Sequence, residues 1–207
     1  MRKRFGGIGL ALVLSLGMAL PAEGQVAWDS PQLISPATPG GLGLYLVEAH
    51  PGDGLGVLMT WRGSDGPGGV GFRLGIAEGR GEDLSVFGGV DFSGLFYPHS
   101  NEFPLDVLWA SGVGVGVGDF AILSVPFGVV LGRSLDADGV TFTPYFSPRL
   151  FLDAFLGDDN DNRDNLDLGF AMDIGADVSF GGSFDLRFAA SLGDRETLAI
   201  GAVFPIF

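Results

Sequence analysis

The chain has 207 residues, 46% of them hydrophobic, and a formal net charge of -14 from 25 acidic against 11 basic residues. That acidity excludes nucleic acid as a partner, because the phosphate backbone is bound through dense positive charge, and the hydrophobic content excludes a disordered acidic chain. The absence of cysteine excludes a disulfide framework and a lipid-modified cysteine, so stability has to come from the fold itself.

Residues 1–24 read as a cleaved secretory signal. Arg2, Lys3 and Arg4 form a basic start, Ile8 to Leu20 an apolar core, and Ala22-Glu23-Gly24 sets small residues at the cleavage positions before Gln25. The apolar core is shorter than the ~20 residues of a spanning helix. Lys3 is the only lysine, so the exported chain carries its positive charge on arginine alone. Residues 25–41 follow as an N-terminal extension, and 42–207 form one domain.

No helical period is sustained in that domain, whereas strict alternation recurs. It predicts strands near 42–49, 55–62, 69–77, 84–93, 105–117, 120–132, 140–153, 165–180, 183–192 and 197–207, with Gly, Asp, Asn and Pro between them. Ten is the expected number; leaving out the two short first strands gives eight. In the clearest case Leu166, Leu168, Phe170, Met172, Ile174, Ala176, Val178 and Phe180 share one face, opposite Asp167, Gly169, Ala171, Asp173, Gly175, Asp177 and Ser179.

Alternation does not say which face points inward. A soluble secreted barrel would bury the apolar face, whereas a membrane barrel turns it to lipid. Three features favour the membrane arrangement. The polar faces hold Asp, Ser, Thr and Gly rather than the Lys and Glu of a solvated sheet. Glycines such as Gly112, Gly114 and Gly116, opposite Val113, Val115 and Val117, suit a narrow interior. Closure of the sheet also removes edges that long apolar strands would otherwise expose.

On these residues, together with the exported N-terminus and a last strand ending in Phe207, the chain resembles the small bacterial outer-membrane β-barrels, the class of OmpA, OmpX and OmpW. The resemblance implies an all-β, single up-and-down antiparallel transmembrane barrel, with Phe207 as part of the signal read by the barrel-assembly machinery. It implies an outer-membrane location, contact with membrane lipid and lipopolysaccharide, and a monomer. The stronger apolar set of the last strand, Leu198, Ile200, Ala202, Phe204 and Ile206, is one residue out of phase with Phe207. A bulge at Pro205, which lacks a ladder donor, would restore the phase. With periplasmic termini, 94–104 falls at the periplasmic end, as a plug or helix there unless one strand between 84 and 132 is miscounted.

The inward polar face collects Arg73, Asp91, Asp106, Arg149, Asp153, Asp167, Asp173, Asp177, Asp185 and Arg187. In a narrow lumen these are expected to pair with one another, because an unpaired charge there is costly. The role that follows is non-catalytic, a structural or surface-interaction barrel without a cofactor; the alternative is a small passive pore with a charged lining. Asp158, Asp159, Asp161 and Asp164 alternate as in a calcium loop. Arg163 and Gly169 stand where the helix-loop-helix motif has glycine and an acidic residue, so they are weak metal candidates in a solvated hairpin. His50 and His99 are the only histidines, and His99 beside Ser100 is the one constellation on which a rim-located lipid-active enzyme could rest.

Overall fold

A computed structural model describes residues 30–49, 54–78, 84–118, 121–156, 166–181 and 183–205. Their strands are β1 (Gly41–Ala49), β2 (Leu55–Arg62), β3 (Gly69–Glu78), β4 (Leu84–Tyr97), β5 (Asp106–Val117), β6 (Ala121–Gly132), β7 (Leu135–Ala137), β8 (Val140–Leu156), β9 (Leu166–Ser179), β10 (Asp185–Gly193) and β11 (Thr197–Phe204). Each long strand pairs antiparallel with its sequence neighbour. β1 closes on β11, and β6 pairs with β8. β7 forms only a short hairpin with the first residues of β8. The result is a closed barrel of ten strands, including the two short first ones, so the count of eight is excluded.

Parity along each strand sets the two faces. In β3, Gly71, Arg73, Gly75 and Ala77 are buried and Val70, Phe72, Leu74 and Ile76 exposed; in β5, Gly112, Gly114 and Gly116 point in and Val113, Val115 and Val117 out. The outer wall is apolar apart from Glu48 and Glu78 near the ends of β1 and β3, and the buried charged positions lie inside.

The start of β1 and the end of β11 lie side by side, Leu42 opposite Phe204. This end of the barrel also carries 63–68, 98–105, 133–139, 180–181 and 183–184; β8 ends and β9 begins at the other. The 94–104 segment is neither plug nor helix and conceals no miscounted strand. Its first residues extend β4 to Tyr97, where Phe96 is an unpaired extra residue in the ladder to β5, and 98–104 is exposed. Pairing of β1 with β11 runs one-to-one through Phe204, and Pro205 follows the last paired residue. Phe207, His50, residues 1–24 and Asp158, Asp159, Asp161 and Asp164 lie outside the described residues.

Large inward rings are accommodated by glycine on the neighbouring strand. Tyr145 registers with Gly175, Tyr45 with Gly201, Phe87 with Gly75 and Phe151 with Gly169, and in each pair the ring lies across the glycine where a side chain would stand. A barrel this narrow cannot hold both a ring and a side chain at one level. Gly175→Val should therefore cost about 1–3 kcal/mol of stability through overpacking. Gly118→Ala, whose added methyl would sit 3.6 Å from Ser85 Cβ, should leave the unfolding midpoint unchanged. Denaturant titration in detergent compares the two.

Candidate functional site: the occupied lumen

The lumen is filled from two sources. The first is the strands, whose inward face buries Arg62, Arg73, Arg149, Arg187, Asp91, Asp153, Asp173 and Asp177; Arg195, from the turn between β10 and β11, joins them. Near the rim opposite the termini, Arg195 pairs with Asp153 and lies 4.3 Å from the centre of the Phe151 ring. At mid-height Arg149 meets Asp173 at 3.1 Å and donates to Ser191 Oγ at 3.1 Å, and Ser191 in turn donates to Asp173. Toward the termini Arg187 grips Asp177 through Nε (2.7 Å) and Nη2 (3.1 Å), while Arg62 reaches Asp91 at 2.5 Å and Ser93 Oγ at 3.3 Å. Arg73 lies 3.6 Å from the same Asp91.

The second source is the N-terminal segment. Ser30 to Gly40 runs inside the barrel without joining any ladder, and Ser30, Gln32, Leu33, Ile34, Ser35 and Thr38 are all buried. Prolines 31, 36 and 39 and the lack of any charged residue explain this placement: the segment cannot pair as a strand, yet can enter a lumen without adding charge. Leu33 and Ile34 pack among Tyr45, Leu58, Leu108, Val130, Tyr145 and Val203, giving the interior an apolar part as well as a polar one.

Its polar contacts fall on the charged network. Arg73 donates to Ser30 Oγ (3.2 Å), the Pro31 carbonyl (3.3 Å) and the Gln32 carbonyl (2.7 Å), and Arg149 reaches the Ser30 carbonyl at 3.4 Å. Gln32 N–H donates to Asp173 Oδ2 at 2.9 Å, and Ser35 Oγ donates to Asp177. At the barrel end the segment is clipped to the connection between β2 and β3, where Gly66 N–H donates to the Thr38 carbonyl (2.8 Å) and Gly40 N–H to Asp65 (2.6 Å). A small crevice beside it is lined by Leu33, Thr60, Arg62, Arg73, Asp91 and Arg187.

Of the ten residues expected to form the network, Arg73, Asp91, Arg149, Asp153, Asp173, Asp177 and Arg187 are brought together in the lumen. Asp106, Asp167 and Asp185 are not. Asp106 opens β5 at the termini end and accepts from His99, Asp167 is exposed near the other rim, and Asp185 opens β10, half-buried. All three have the inward parity but stand at strand ends, where the lumen opens. The sequence reading missed Arg62 and Arg195, each at the very end of a strand or in a turn, and the whole of 30–40. An uncharged, proline-punctuated stretch beside the first strand of so acidic a chain was the available signal.

His99 Nδ1 lies 2.9 Å from Asp106 Oδ1 and the His99 N–H 2.7 Å from it, while Ser100 Oγ accepts from the Glu102 and Phe103 N–H groups. His99 and Ser100 thus brace one exposed turn and do not face each other as base and nucleophile. Among the described residues no group of three or more His, Asp or Glu is placed to hold a metal ion. Comparison with known proteins yields no relative: no family model matches the chain, nor does any curated protein or solved structure.

The pair Asp177 and Arg187 is nearly fully buried, so truncating one partner strands the other. Asp177→Ala should destabilise the barrel by about 3–5 kcal/mol, and the double variant Asp177→Ala/Arg187→Met by much less. Urea unfolding of the single and double variants measures the coupling.

Proposed function

We propose that this chain is an outer-membrane β-barrel of a diderm bacterium with a non-catalytic, structural or surface-interaction role, its lumen occupied by its own N-terminal segment. The observation that carries the reading is the inversion of polarity. Outward residues such as Leu74 and Val117 are each 52% exposed, whereas Arg149 is 1% and Asp173 0% exposed. An apolar wall that surrounds the whole barrel far exceeds the isolated apolar patches of soluble monomers and suits hydrocarbon.

The distribution of aromatic residues supports the same reading. Trp61, Phe72, Phe92, Trp109, Phe142, Phe180 and Phe204 face outward toward the end that carries the termini; the Trp61 and Phe72 rings are 5.7 Å apart. Near the opposite rim the outward hydrophobic residues are mostly aliphatic, Leu55, Leu84, Val117, Leu123, Leu156, Leu166, Leu192 and Leu198, with Phe170 among them. A belt of aromatic rings weighted to one end, with the amphipathic Trp61 and Trp109 in it, suits a membrane–water interface. With the termini periplasmic, β8 and β9 meet at the cell surface, where the acidic connection would face lipopolysaccharide and its counter-ions. The partners that follow are outer-membrane lipid and the barrel-assembly machinery, and the chain acts as a monomer.

Fractionation tests this directly. The exported protein should enter the detergent phase and migrate differently on gels before and after heating; recovery in the aqueous phase without a heat-dependent shift refutes the assignment. Leu74→Arg, near the middle of the outward face of β3, should cost about 2–4 kcal/mol in lipid, read as a lowered unfolding midpoint in vesicles.

A further inference from the structure

The turn between β4 and β5 is exposed, yet it is held at several points. Ser100 N–H donates to the Phe103 carbonyl at 2.7 Å, and Ser100 Oγ accepts from the Glu102 and Phe103 N–H groups at 3.3 and 3.2 Å. Asp106 Oδ1, at the start of β5, accepts from the His99 N–H at 2.7 Å and lies 2.9 Å from His99 Nδ1. Arg133, just past β6, donates to the Pro104 carbonyl at 3.4 Å. Pro98 and Pro104 restrict the backbone on either side. Ordering a surface loop costs backbone entropy, and these contacts offset that cost to fix one arrangement of the turn.

What the turn holds out is aromatic. Phe96, the extra residue of β4, is 77% exposed, more than any other large hydrophobic side chain among the described residues. Tyr97 and Phe103 are exposed as well and meet edge-on, with ring centres 6.1 Å apart. Tyr97 re-enters the ladder opposite Val107, which has the outward parity of Trp109, so Tyr97 and the Phe103 ring against it lie on the outer side of the wall. β5 rises about 3.4 Å per residue, which sets Val107 and Tyr97 about 7 Å beyond Trp109 along the strand, or about 5 Å along the membrane normal at a tilt of about 35–45°. The headgroup layer outside the hydrocarbon is about 5–7 Å thick on each side. Tyr97 therefore stands one headgroup layer further out than the Trp109 ring of the belt.

From this we infer that Phe96, Tyr97 and Phe103 form a preformed anchoring lip, which enters the headgroup layer at the end that carries the termini and binds glycerophospholipid there. The inference rests on the membrane-barrel reading. At that depth a ring buries its apolar body against glycerol and the first acyl carbons, and the Tyr97 hydroxyl stays within reach of water and phosphate. The other described turns at this end carry fewer exposed rings: 63–68 and 133–139 have none, and 180–181 with 183–184 has Phe180 and Phe184. The lip thus holds the barrel from one side of its circumference, and sets its tilt as well as its depth. His99, Ser100 and Asp106 are positioning residues in this arrangement; they hold the rings out and touch no lipid.

The chain has no cysteine, so single-cysteine variants of the full-length protein take a thiol-reactive, environment-sensitive fluorophore at one known place. Phe96→Cys and Phe103→Cys report on the lip, Leu74→Cys on the middle of the outer wall, and Asp136→Cys on the neighbouring hairpin of β7 with β8. Each is reconstituted into vesicles of phosphatidylethanolamine and phosphatidylglycerol that carry a nitroxide quencher either on the headgroup or deep on the acyl chain. Expected at 96 and 103 is loss of most of the emission to the headgroup quencher and less to the deep one, with the reverse order at 74 and weaker quenching by both at 136. Adding Ser100→Ala to Phe103→Cys should reduce the quenching at 103, and adding it to Leu74→Cys should change nothing at 74. The inference is overturned if the labels at 96 and 103 are quenched no more than the label at 136 while 74 responds to the deep quencher, or if Ser100→Ala leaves the quenching at 103 intact. A lip label with blue-shifted emission that escapes both quenchers packs against protein, and overturns it too. Should one lip variant fail to insert, the other decides alone. Absence of deep quenching at 74 is a separate result and removes the membrane reading itself.

Discussion

The guanidinium groups of Arg62, Arg73, Arg149, Arg187 and Arg195, enclosed by an apolar wall, set the constraint that organises the rest of the molecule. A guanidinium inside a narrow barrel must find its acceptors there, since burial takes it away from water. Aspartate, with its short side chain, can sit on a neighbouring strand and meet an arginine without crossing the lumen. Arg187 and Asp177 are register partners on β10 and β9. Glycine and alanine at other inward positions leave room for the long arginine side chains and for the rings of Tyr45, Tyr145, Phe87 and Phe151. Main-chain carbonyls of the N-terminal segment add further acceptors for Arg73 and Arg149.

Most of the barrel was legible because the period of two is a local property. Once Val113, Val115 and Val117 are seen against three glycines, the strand and its two faces follow. The strand count survived because turn residues mark nearly every reversal. Parity, however, carries no information about depth. Asp106, Asp167 and Asp185 share the parity of Asp91 and Asp173, yet a residue at the mouth of a barrel is solvated whatever its phase. The extra residue Phe96 and the tiny hairpin of β7 with β8 were invisible for a related reason, since both arise from a pairing irregularity and not from composition.

The segment 30–40 escaped altogether. Its partners Asp173 and Asp177 are more than a hundred residues away in sequence, and it has no period because it pairs with no strand. In the sequence these residues belong to an N-terminal extension before the first strand; inside the lumen its three prolines keep the chain from being taken into the sheet. The charges recognised as a self-contained network are, in the folded protein, one half of an interface whose other half is main chain and serine hydroxyls.

The closure of β1 on β11 also orders the steps of folding. Leu42 and Phe204 meet across nearly the whole domain, so the lumen comes into existence only with the last and most distant pairing. Ion pairs between adjacent strands, such as Arg187 with Asp177, are available while the sheet is still open. Contacts such as Gln32 with Asp173, 141 positions apart, need both the tail and a curved wall. Long-range contacts of this kind form late because the entropy of loop closure must be met first. Residues 30–40 leave the ribosome before any strand does and are among the last parts of the protein to find their place.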